Sequence, residues 1–254
     1  MTGDAVLIEK ITFRNFNFTG NGGAIVWNGT NGILKNCKFN NCTAYSGGAL
    51  QWRGANGTLT ESSFTINTAG YGGAIDWSGV NGTLMDCNFI SNTARNNCGA
   101  IQWSGANGTL SSSIFTGNTA GVNGGGVYWL GVAGNGKIIE STFNNNAAGD
   151  RGGGVFWSGA NGILVGSSFT NNTSRRNGGV YWNARGYMVN CSFNSKWIKS
   201  NGICTVSNLT IIGGNGIVDI VTSNLISGIS IVVLNNETYY YPPNSNINLP
   251  NNKQ

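Results

Sequence analysis

Hydrophobic residues repeat along the chain at a nearly constant interval of 25 to 28 residues. Seven tryptophans mark this interval: Trp27, Trp52, Trp77, Trp103, Trp129, Trp157 and Trp182. An aliphatic residue stands two positions before each tryptophan, as Ile25 does before Trp27, with one variable position between them. This alternation is typical of a short β-strand with one buried face. A regular interval of this length is typical of a solenoid in which each repeat forms one turn.

Two further apolar columns follow the same interval. Phenylalanine recurs at Phe39, Phe64, Phe89, Phe115, Phe143, Phe169 and Phe193. Phe18 extends this column upstream, and an aliphatic residue or methionine stands five positions before each of the seven, from Leu34 to Met188. One repeat cannot bury its apolar face alone. Stacking the repeats about 4.8 Å apart would place like residues over like residues and pair the backbone groups.

Polar and small residues also hold fixed places in the repeat. Asparagine stands three positions after phenylalanine at Asn21, Asn67, Asn92, Asn118, Asn146 and Asn172, whereas Cys42 and Lys196 interrupt this column. A side-chain amide both donates and accepts, so we expect these asparagines to form a self-satisfying ladder. Glycines before each Ile/Val and Asn-Gly pairs such as Asn31-Gly32 predict tight turns. Because the leucine and phenylalanine columns lie an odd number of residues apart, a corner residue is expected three positions before each phenylalanine.

These patterns together predict an all-β fold, a right-handed parallel β-helix of the pectate-lyase-like type with about 8–10 rungs of about 25 residues. We expect the β-helix to cover residues 1–234, with regular rungs over about 13–196 and irregular terminal rungs after them, because solenoid ends are usually atypical. Residues 235–254 are expected to form a C-terminal cap or a linker.

A family resemblance rests on two tetrapeptides of the repeat. Gly22-Gly23-Ala24-Ile25 and Phe64-Thr65-Ile66-Asn67 resemble the repeat signature of chlamydial polymorphic outer-membrane proteins. The fuller unit, with its tryptophan and an Asn-Gly-Thr-Leu stretch, is similar to adhesin-like surface proteins of methanogenic archaea. The resemblance covers about residues 13–196. It implies a surface-exposed β-helix associated with adhesion, and it identifies no ligand because the shared motifs are scaffold residues.

Composition excludes several classes of site. The chain has no histidine, which excludes Ser-His-Asp and Cys-His catalysis and histidine-ligated zinc. Its net charge of +5 comes from 14 basic and 9 acidic residues that are thinly scattered. We therefore expect no nucleic-acid binding. We also expect no direct membrane insertion, because no stretch reaches the roughly 18 consecutive apolar residues that span a bilayer. Arg175-Arg176, with Arg185 nearby, forms either a solvated turn or a small contact for an anionic glycan or phosphate.

The six cysteines are expected to be mostly free, buried thiols. Cys37, Cys87 and Cys191 share one inward column, in which serine replaces cysteine in the other repeats. Cys37 and Cys87 lie two rungs apart, about 9–10 Å at the strand spacing. That distance is too long for a disulfide, and Cys42, Cys98 and Cys204 belong to other columns.

One pair of carboxylates could carry chemistry. Glu61 and Asp86 occupy the same corner position of adjacent repeats. A separation of about 5 Å would suit a retaining glycosidase. The pair could also contribute to a cation site, although calcium requires six to eight oxygens. The third interpretation is a solvated corner with two weakly repelling carboxylates.

The outward position between each Ile/Val and tryptophan is the most variable place in the repeat. After Val26 it carries Gln51, Asp76, Gln102, Tyr128, Phe156 and Tyr181. We interpret this column as an exposed row for stacking on sugar faces or for contact with a protein. In the alternative interpretation, a neighbouring loop or the longer repeat between Trp129 and Trp157 covers it.

The leading hypothesis is therefore a non-catalytic, extracellular or cell-surface adhesin-like module that binds a glycan or protein of a host or neighbouring cell. We expect no cofactor, no catalytic residue and a monomer, and Asn-x-Ser/Thr sequons suggest a glycoprotein. The first alternative is a polysaccharide lyase or glycoside hydrolase that uses Glu61 and Asp86. The second alternative is a structural spacer.

Overall fold

The computed structural model describes residues 1–131, 134–176 and 178–194, and the backbones of strands 198–200, 204–207, 210–213, 230–234 and 237–241. Within these residues four sheets run side by side, each built from one short strand per repeat. One repeat of about 26 residues forms one rung, and about seven rungs stack into a parallel β-helix. The expected fold class is confirmed. The regular rungs number fewer than the eight to ten expected, because in the described part of the chain one sheet ends at Thr173–Ser174.

Two of the sheets carry the leucine and phenylalanine columns, and they are named accordingly. The strands of the leucine sheet are Leu7–Glu9, Ile33–Lys35, Thr58–Thr60, Thr83–Met85, Thr109–Ser111, Lys137–Ile139, Gly162–Val165, Gly186–Val189 and Cys204–Ser207. The strands of the phenylalanine sheet are Thr12–Arg14, Lys38–Asn40, Ser63–Thr65, Asn88–Ile90, Ile114–Thr116, Thr142–Asn144, Ser168–Thr170, Ser192–Asn194, Thr210–Gly213, Ser230–Leu234 and Glu237–Tyr241.

The other two sheets, the alanine sheet and the tryptophan sheet, complete each rung. The strands of the alanine sheet are Thr43–Ser46, Thr68–Tyr71, Thr93–Ala94, Thr119–Ala120, Ala147–Ala148 and Thr173–Ser174. The strands of the tryptophan sheet are Ile25–Trp27, Leu50–Trp52, Ile75–Trp77, Ile101–Trp103, Val127–Trp129, Val155–Trp157, Val180–Trp182 and Ile198–Ser200.

Neighbouring rungs pair in parallel with like residues in register. Phe64 pairs with Phe89, and Trp77 pairs with Trp103. The tryptophan rings of successive rungs stack with centroids 4.5 to 4.8 Å apart, close to the strand spacing of a sheet. The seven tryptophans are almost completely buried, as are all seven phenylalanines of the column. The two aromatic ladders and the leucine column thus form the core predicted from the sequence.

The turns explain the glycines and asparagines of the repeat. In the Asn-Gly pairs that follow the tryptophan strands the asparagine adopts the left-handed conformation, with φ of +55° at Asn31 and +56° at Asn56. The glycine is required for a different reason: a Cβ on Gly57 would lie 2.3 Å from Nε1 of Trp52. The expected corner three residues before phenylalanine is confirmed, because Glu61 and Asp86 also have a left-handed φ.

The buried asparagine ladder is confirmed for its five central members, Asn67, Asn92, Asn118, Asn146 and Asn172. Nδ2 of Asn92 donates to Oδ1 of Asn118 at 2.9 Å and to the carbonyl of Phe64 at 2.9 Å. The same Oδ1 of Asn118 also accepts the backbone N–H of Asn92. Each amide therefore satisfies both main-chain and side-chain groups in a turn from which water is excluded.

The first rung shows where the sequence register was wrong. Phe13, not Phe18, pairs and stacks with Phe39, with ring centroids 4.8 Å apart. Phe18 is instead half exposed, and Asn21 forms an isolated bridge with Ser46 outside the buried ladder. The Phe18-to-Asn21 segment lies instead beside the strand Thr43–Ser46, because Asn17 bridges to Thr43 and Asn21 to Ser46.

The last described strands depart from the regular pattern. Ser230–Leu234 pairs in parallel with Thr210–Gly213. Glu237–Tyr241 pairs with Ser230–Leu234 in the antiparallel direction. The boundary expected between residues 234 and 235 lies outside the described residues, as does most of the segment 235–254.

Candidate ligand-binding site

The outward positions of the tryptophan sheet face the ends of the alanine-sheet strands across a tight turn. The first residue of this turn has a left-handed φ, +62° at Gly47 and +56° at Gly72. This turn folds the two strands toward each other, so their outward side chains make contact. A Cβ on Gly124, for example, would lie 3.0 Å from the Cβ of Tyr128. We name this surface the corner strip. It consists of Gln51, Asp76, Gln102, Tyr128, Phe156 and Tyr181 with the facing Ser46, Asp150, Arg151 and Arg176.

The expectation that the whole outward column is exposed is wrong for three of its residues. Gln51, Phe156 and Tyr181 are only 6%, 7% and 4% exposed. Asp76, Gln102 and Tyr128 are partly exposed. The alternation placed these side chains on the correct side of the strand, but the facing turn covers part of the row. Ligand binding by this column remains a prediction, and the buried members can support it only indirectly.

The first half of the corner strip is polar. Ser46 Oγ donates to Oδ2 of Asp76 at 2.7 Å, and Gln51 Nε2 donates to the same oxygen at 3.3 Å. Within the described residues, Oε1 of Gln51 is buried and has no hydrogen-bond partner. An unsatisfied buried acceptor costs about 1–3 kcal/mol. The cluster is therefore a polar contact between rungs rather than a fully satisfied network.

The second half of the corner strip is aromatic. The rings of Tyr128 and Phe156 meet edge to face at 4.8 Å, and Phe156 stacks with Tyr181 at 4.9 Å. Burial raises the pKa of the Tyr128 phenol, and the nearby Cys98 thiol raises it further. Tyr128 is the accessible end of a three-ring row whose other two members are covered.

A charged group closes the aromatic end of the corner strip. Nε of Arg176 lies 3.0 Å from Oδ1 of Asp150, and Nε of Arg151 lies 3.5 Å from Oδ2 of the same carboxylate. The guanidinium carbon of Arg151 also lies 5.0 Å from the ring centroid of Tyr181, which is a cation–π contact. The aspartate and the tyrosine ring therefore hold two arginines side by side.

The pair Glu61 and Asp86 lies at a different corner, between the leucine and phenylalanine sheets. Both residues are exposed, and Glu61 forms a salt bridge of 3.4 Å with Lys35. No group of three or more Asp, Glu, Cys or His side chains among the described residues could hold a metal ion. Apart from their shared corner, no feature of the described residues supports a catalytic pair or a cation site at Glu61 and Asp86.

The described cysteines belong to the scaffold. Cys37, Cys42, Cys87, Cys98 and Cys191 are buried and free, as expected, and the side chain of Cys204 lies outside the described residues. Burial raises the pKa of Cys87 and of Cys191 to about 12. Since a thiol in its neutral form is a poor nucleophile, these groups are unsuited to covalent chemistry.

Sequence reasoning missed Arg151 and the role of Asp150. Arg151 follows Asn97 and Asn123 in one column, and the side chains of these two asparagines are hydrogen bonded at 3.3 Å. The available signal was the change from asparagine at Asn123 to arginine at Arg151, directly after Asp150. The tight turn that brings Arg151 over Tyr181 could not be read from that signal alone.

Comparisons with known proteins gave one match. Residues 112–128 match the Chlamydia polymorphic membrane protein (Chlamydia_PMP) repeat. In this structure the matched segment contains Phe115 and Asn118 of the two ladders and the turn Gly124 to Val127. No curated protein sequence and no solved structure matched the chain.

No helix in the described part of the chain is long and apolar enough to cross a membrane. The match to the chlamydial repeat covers one repeat of this chain, and it agrees with the β-helical architecture observed here.

Proposed function

We propose that this chain is a surface-displayed β-helix that binds a glycan or protein ligand and does not catalyse its turnover. The observation that carries the surface assignment is the match of residues 112–128 to the repeat of chlamydial polymorphic membrane proteins. On this proposal the module lies outside the cell, needs no cofactor, and meets a host or neighbouring-cell surface. Adhesion is the activity that such a placement would serve.

The distribution of variation along the rungs supports the binding role. The columns that stay constant, Phe39 to Phe193 and Asn67 to Asn172, are buried and hold the rungs together. Chemical variation is concentrated on outward positions, among which the corner strip combines rings, amides and charges. Aromatic rings and planar polar groups are the side chains that suit sugar or protein recognition.

A glycan array and a reducing-sugar release assay on the same glycans test this proposal. We expect binding without release for the whole chain, and the same result for a Glu61→Gln, Asp86→Asn variant. Release that disappears in this variant would instead make the chain a carbohydrate-active enzyme. Neither binding nor release, together with failure to bind any cell surface, would leave only the spacer.

A further inference from the structure

We infer that the charged end of the corner strip, formed by Asp150, Arg151 and Arg176, is, together with the nearby Tyr128, a binding site for an acidic polysaccharide. The inference rests on the proposed function, because it names the ligand class of a binding module. It requires that the site be accessible, that it hold an uncompensated positive charge, and that it recognise sugar as well as charge.

The two arginines are oriented but not saturated. Each approaches Asp150 through Nε, and both guanidinium groups belong to side chains that stay partly open to solvent. The side chains of Arg151 and Arg176 are 33% and 49% exposed. An arginine held by a carboxylate and a ring loses less freedom when it binds a ligand, and its planar fork matches a carboxylate or sulfate.

The local charge is positive. Asp150 is paired with both arginines, so one carboxylate faces two guanidinium groups, and the exposed Arg175 directly precedes Arg176 in the chain. The chain carries only 14 basic residues, and three of them, Arg151, Arg175 and Arg176, belong to this part of the molecule. An anionic ligand would complete the pairing that one aspartate leaves incomplete.

The neighbouring ring favours a sugar over other anions. Tyr128 lies two rungs from Tyr181, with Phe156 between them. The ring centroid of Phe156 is 4.8 Å from that of Tyr128 and 4.9 Å from that of Tyr181. A sugar ring packed against the accessible part of Tyr128 would place an acidic group on the next residues of its chain near Arg151. Gln102 continues the row away from the charges with an amide that can bond hydroxyl groups. An extended polymer that runs from rung to rung along the stack therefore fits better than a free phosphate.

Three polymers distinguish the possible sources of binding: polygalacturonate, the same polymer with its carboxylates methyl-esterified, and polyaspartate. We expect the whole chain to bind polygalacturonate, to bind the ester at least tenfold more weakly, and to lose affinity as salt rises. Equal binding of polyaspartate would overturn the assignment of sugar as the ligand, and equal binding of the ester would overturn the role of charge.

Variants locate the site. We expect Arg176→Gln to weaken polygalacturonate binding about tenfold, Arg176→Lys to weaken it less, and Tyr128→Ala to weaken both sugar polymers. Arg53→Gln is the matched control, because it removes the same charge from an exposed position near the other end of the molecule. Each variant is compared by melting temperature, so that loss of binding is separated from loss of fold.

An Arg176→Gln effect no larger than that of Arg53→Gln would overturn the inference. If no polymer binds while the glycan array still shows a ligand, this inference is wrong and the proposed function stands. If neither experiment shows any ligand and the chain also fails to bind any cell surface, both are wrong.

Discussion

Nδ2 of Asn118 donates to Oδ1 of Asn146 at 2.9 Å, one rung further along the β-helix. The same Nδ2 donates to the carbonyl of Phe89 at 3.0 Å, and Oδ1 of Asn118 accepts from the backbone N–H and the side chain of Asn92. One buried side chain thus joins three successive rungs. Its neighbours have no access to water that could replace these bonds.

We expect Asn118→Ala to lower the free energy of unfolding by about 3–5 kcal/mol, because it strands at least two buried polar groups at about 1–3 kcal/mol each. Asn118→Asp keeps the shape and the acceptor but loses the donor, and it should cost a similar amount. The measurement is urea unfolding followed by circular dichroism. The matched control is Asn144→Ala, a partly exposed residue on the phenylalanine-sheet strand of the next rung. A loss of less than about 1 kcal/mol for Asn118→Ala would show that the ladder contributes little.

The glycine of the Asn-Gly turn has a packing role that a second substitution tests. A Cβ on Gly82 would lie 2.4 Å from Nε1 of Trp77, in a ring stack that cannot shift alone. We expect Gly82→Ala to destabilise the chain by about 1–3 kcal/mol, as overpacked core substitutions usually do. Gly3→Ala is the control, since the closest atom to its added Cβ is Cγ2 of Val6, 3.1 Å away on a side chain that can move. Thermal unfolding of both variants makes the comparison. Equal melting temperatures would refute the packing explanation.

The buried thiols predict how stability depends on pH. The pKa of Cys87 is raised from its ordinary value of 9.0 to about 12 because burial disfavours the thiolate. In the unfolded chain the thiol ionises at lower pH than in the folded chain. The unfolded state therefore binds fewer protons in this range, and stability falls as pH rises. The contribution is complete below pH 9 and is lost progressively between pH 9 and about pH 12.

A pH series of melting temperatures checks this linkage. We expect a plateau below pH 9, a decline above it, and a shallower decline in Cys87→Ser. Serine is tolerated at this position because Ser113, in the same column, donates to Ser111 and accepts from the backbone N–H of Cys87. An unchanged slope in Cys87→Ser would mean that another group controls the alkaline transition.

A second asparagine ladder, on the surface, predicts which Asn-Gly pair deamidates first. Nδ2 of Asn81 donates to Oδ1 of Asn56 at 3.0 Å, and Asn107 bonds Asn81 in the same way. Asn161 belongs to the same type of Asn-Gly turn, yet in the described part of the chain its side chain makes no such bond. Asn-Gly pairs deamidate when the glycine nitrogen attacks the side-chain amide, and a hydrogen-bonded amide is less free to reach that geometry.

We therefore expect mild alkaline incubation to convert Asn161 before Asn56, Asn81 or Asn107. Peptide mapping for aspartate and isoaspartate at the four sites measures the order. Unfolded chain serves as the reference, and there the four sites should react at similar rates. Faster reaction of Asn81 than of Asn161 in the folded chain would show that the surface ladder gives no protection.

The sequence predicted the scaffold well because stacking makes identical residues neighbours. The columns of Phe64 and Trp77 could be aligned by interval alone, and Asn92 by its place after phenylalanine. The interval failed at Phe18, where no upstream tryptophan fixes the register. It also failed to reveal the surface ladder of Asn56 and Asn81, since a turn motif does not state which residue of the pair takes the left-handed conformation.

The candidate site was predicted only in part for a related reason. Alternation along a strand shows on which side Phe156 and Tyr181 lie, but not the angle between two sheets. That angle depends on the turn at Gly152, whose left-handed φ folds Arg151 over Tyr181. Phe156 and Tyr181, which were predicted to be exposed, are therefore covered. The accessible side chains of this part of the corner strip are Arg151, Arg176 and Tyr128.

A crystal structure of the whole chain with bound trigalacturonate is the decisive test of the proposed site, because it shows where a ligand lies. We expect a sugar ring against Tyr128 and a carboxylate within hydrogen-bond distance of Nη atoms of Arg151 or Arg176. An ordered sugar at Glu61 and Asp86, or along the leucine sheet with the corner strip empty, would contradict it.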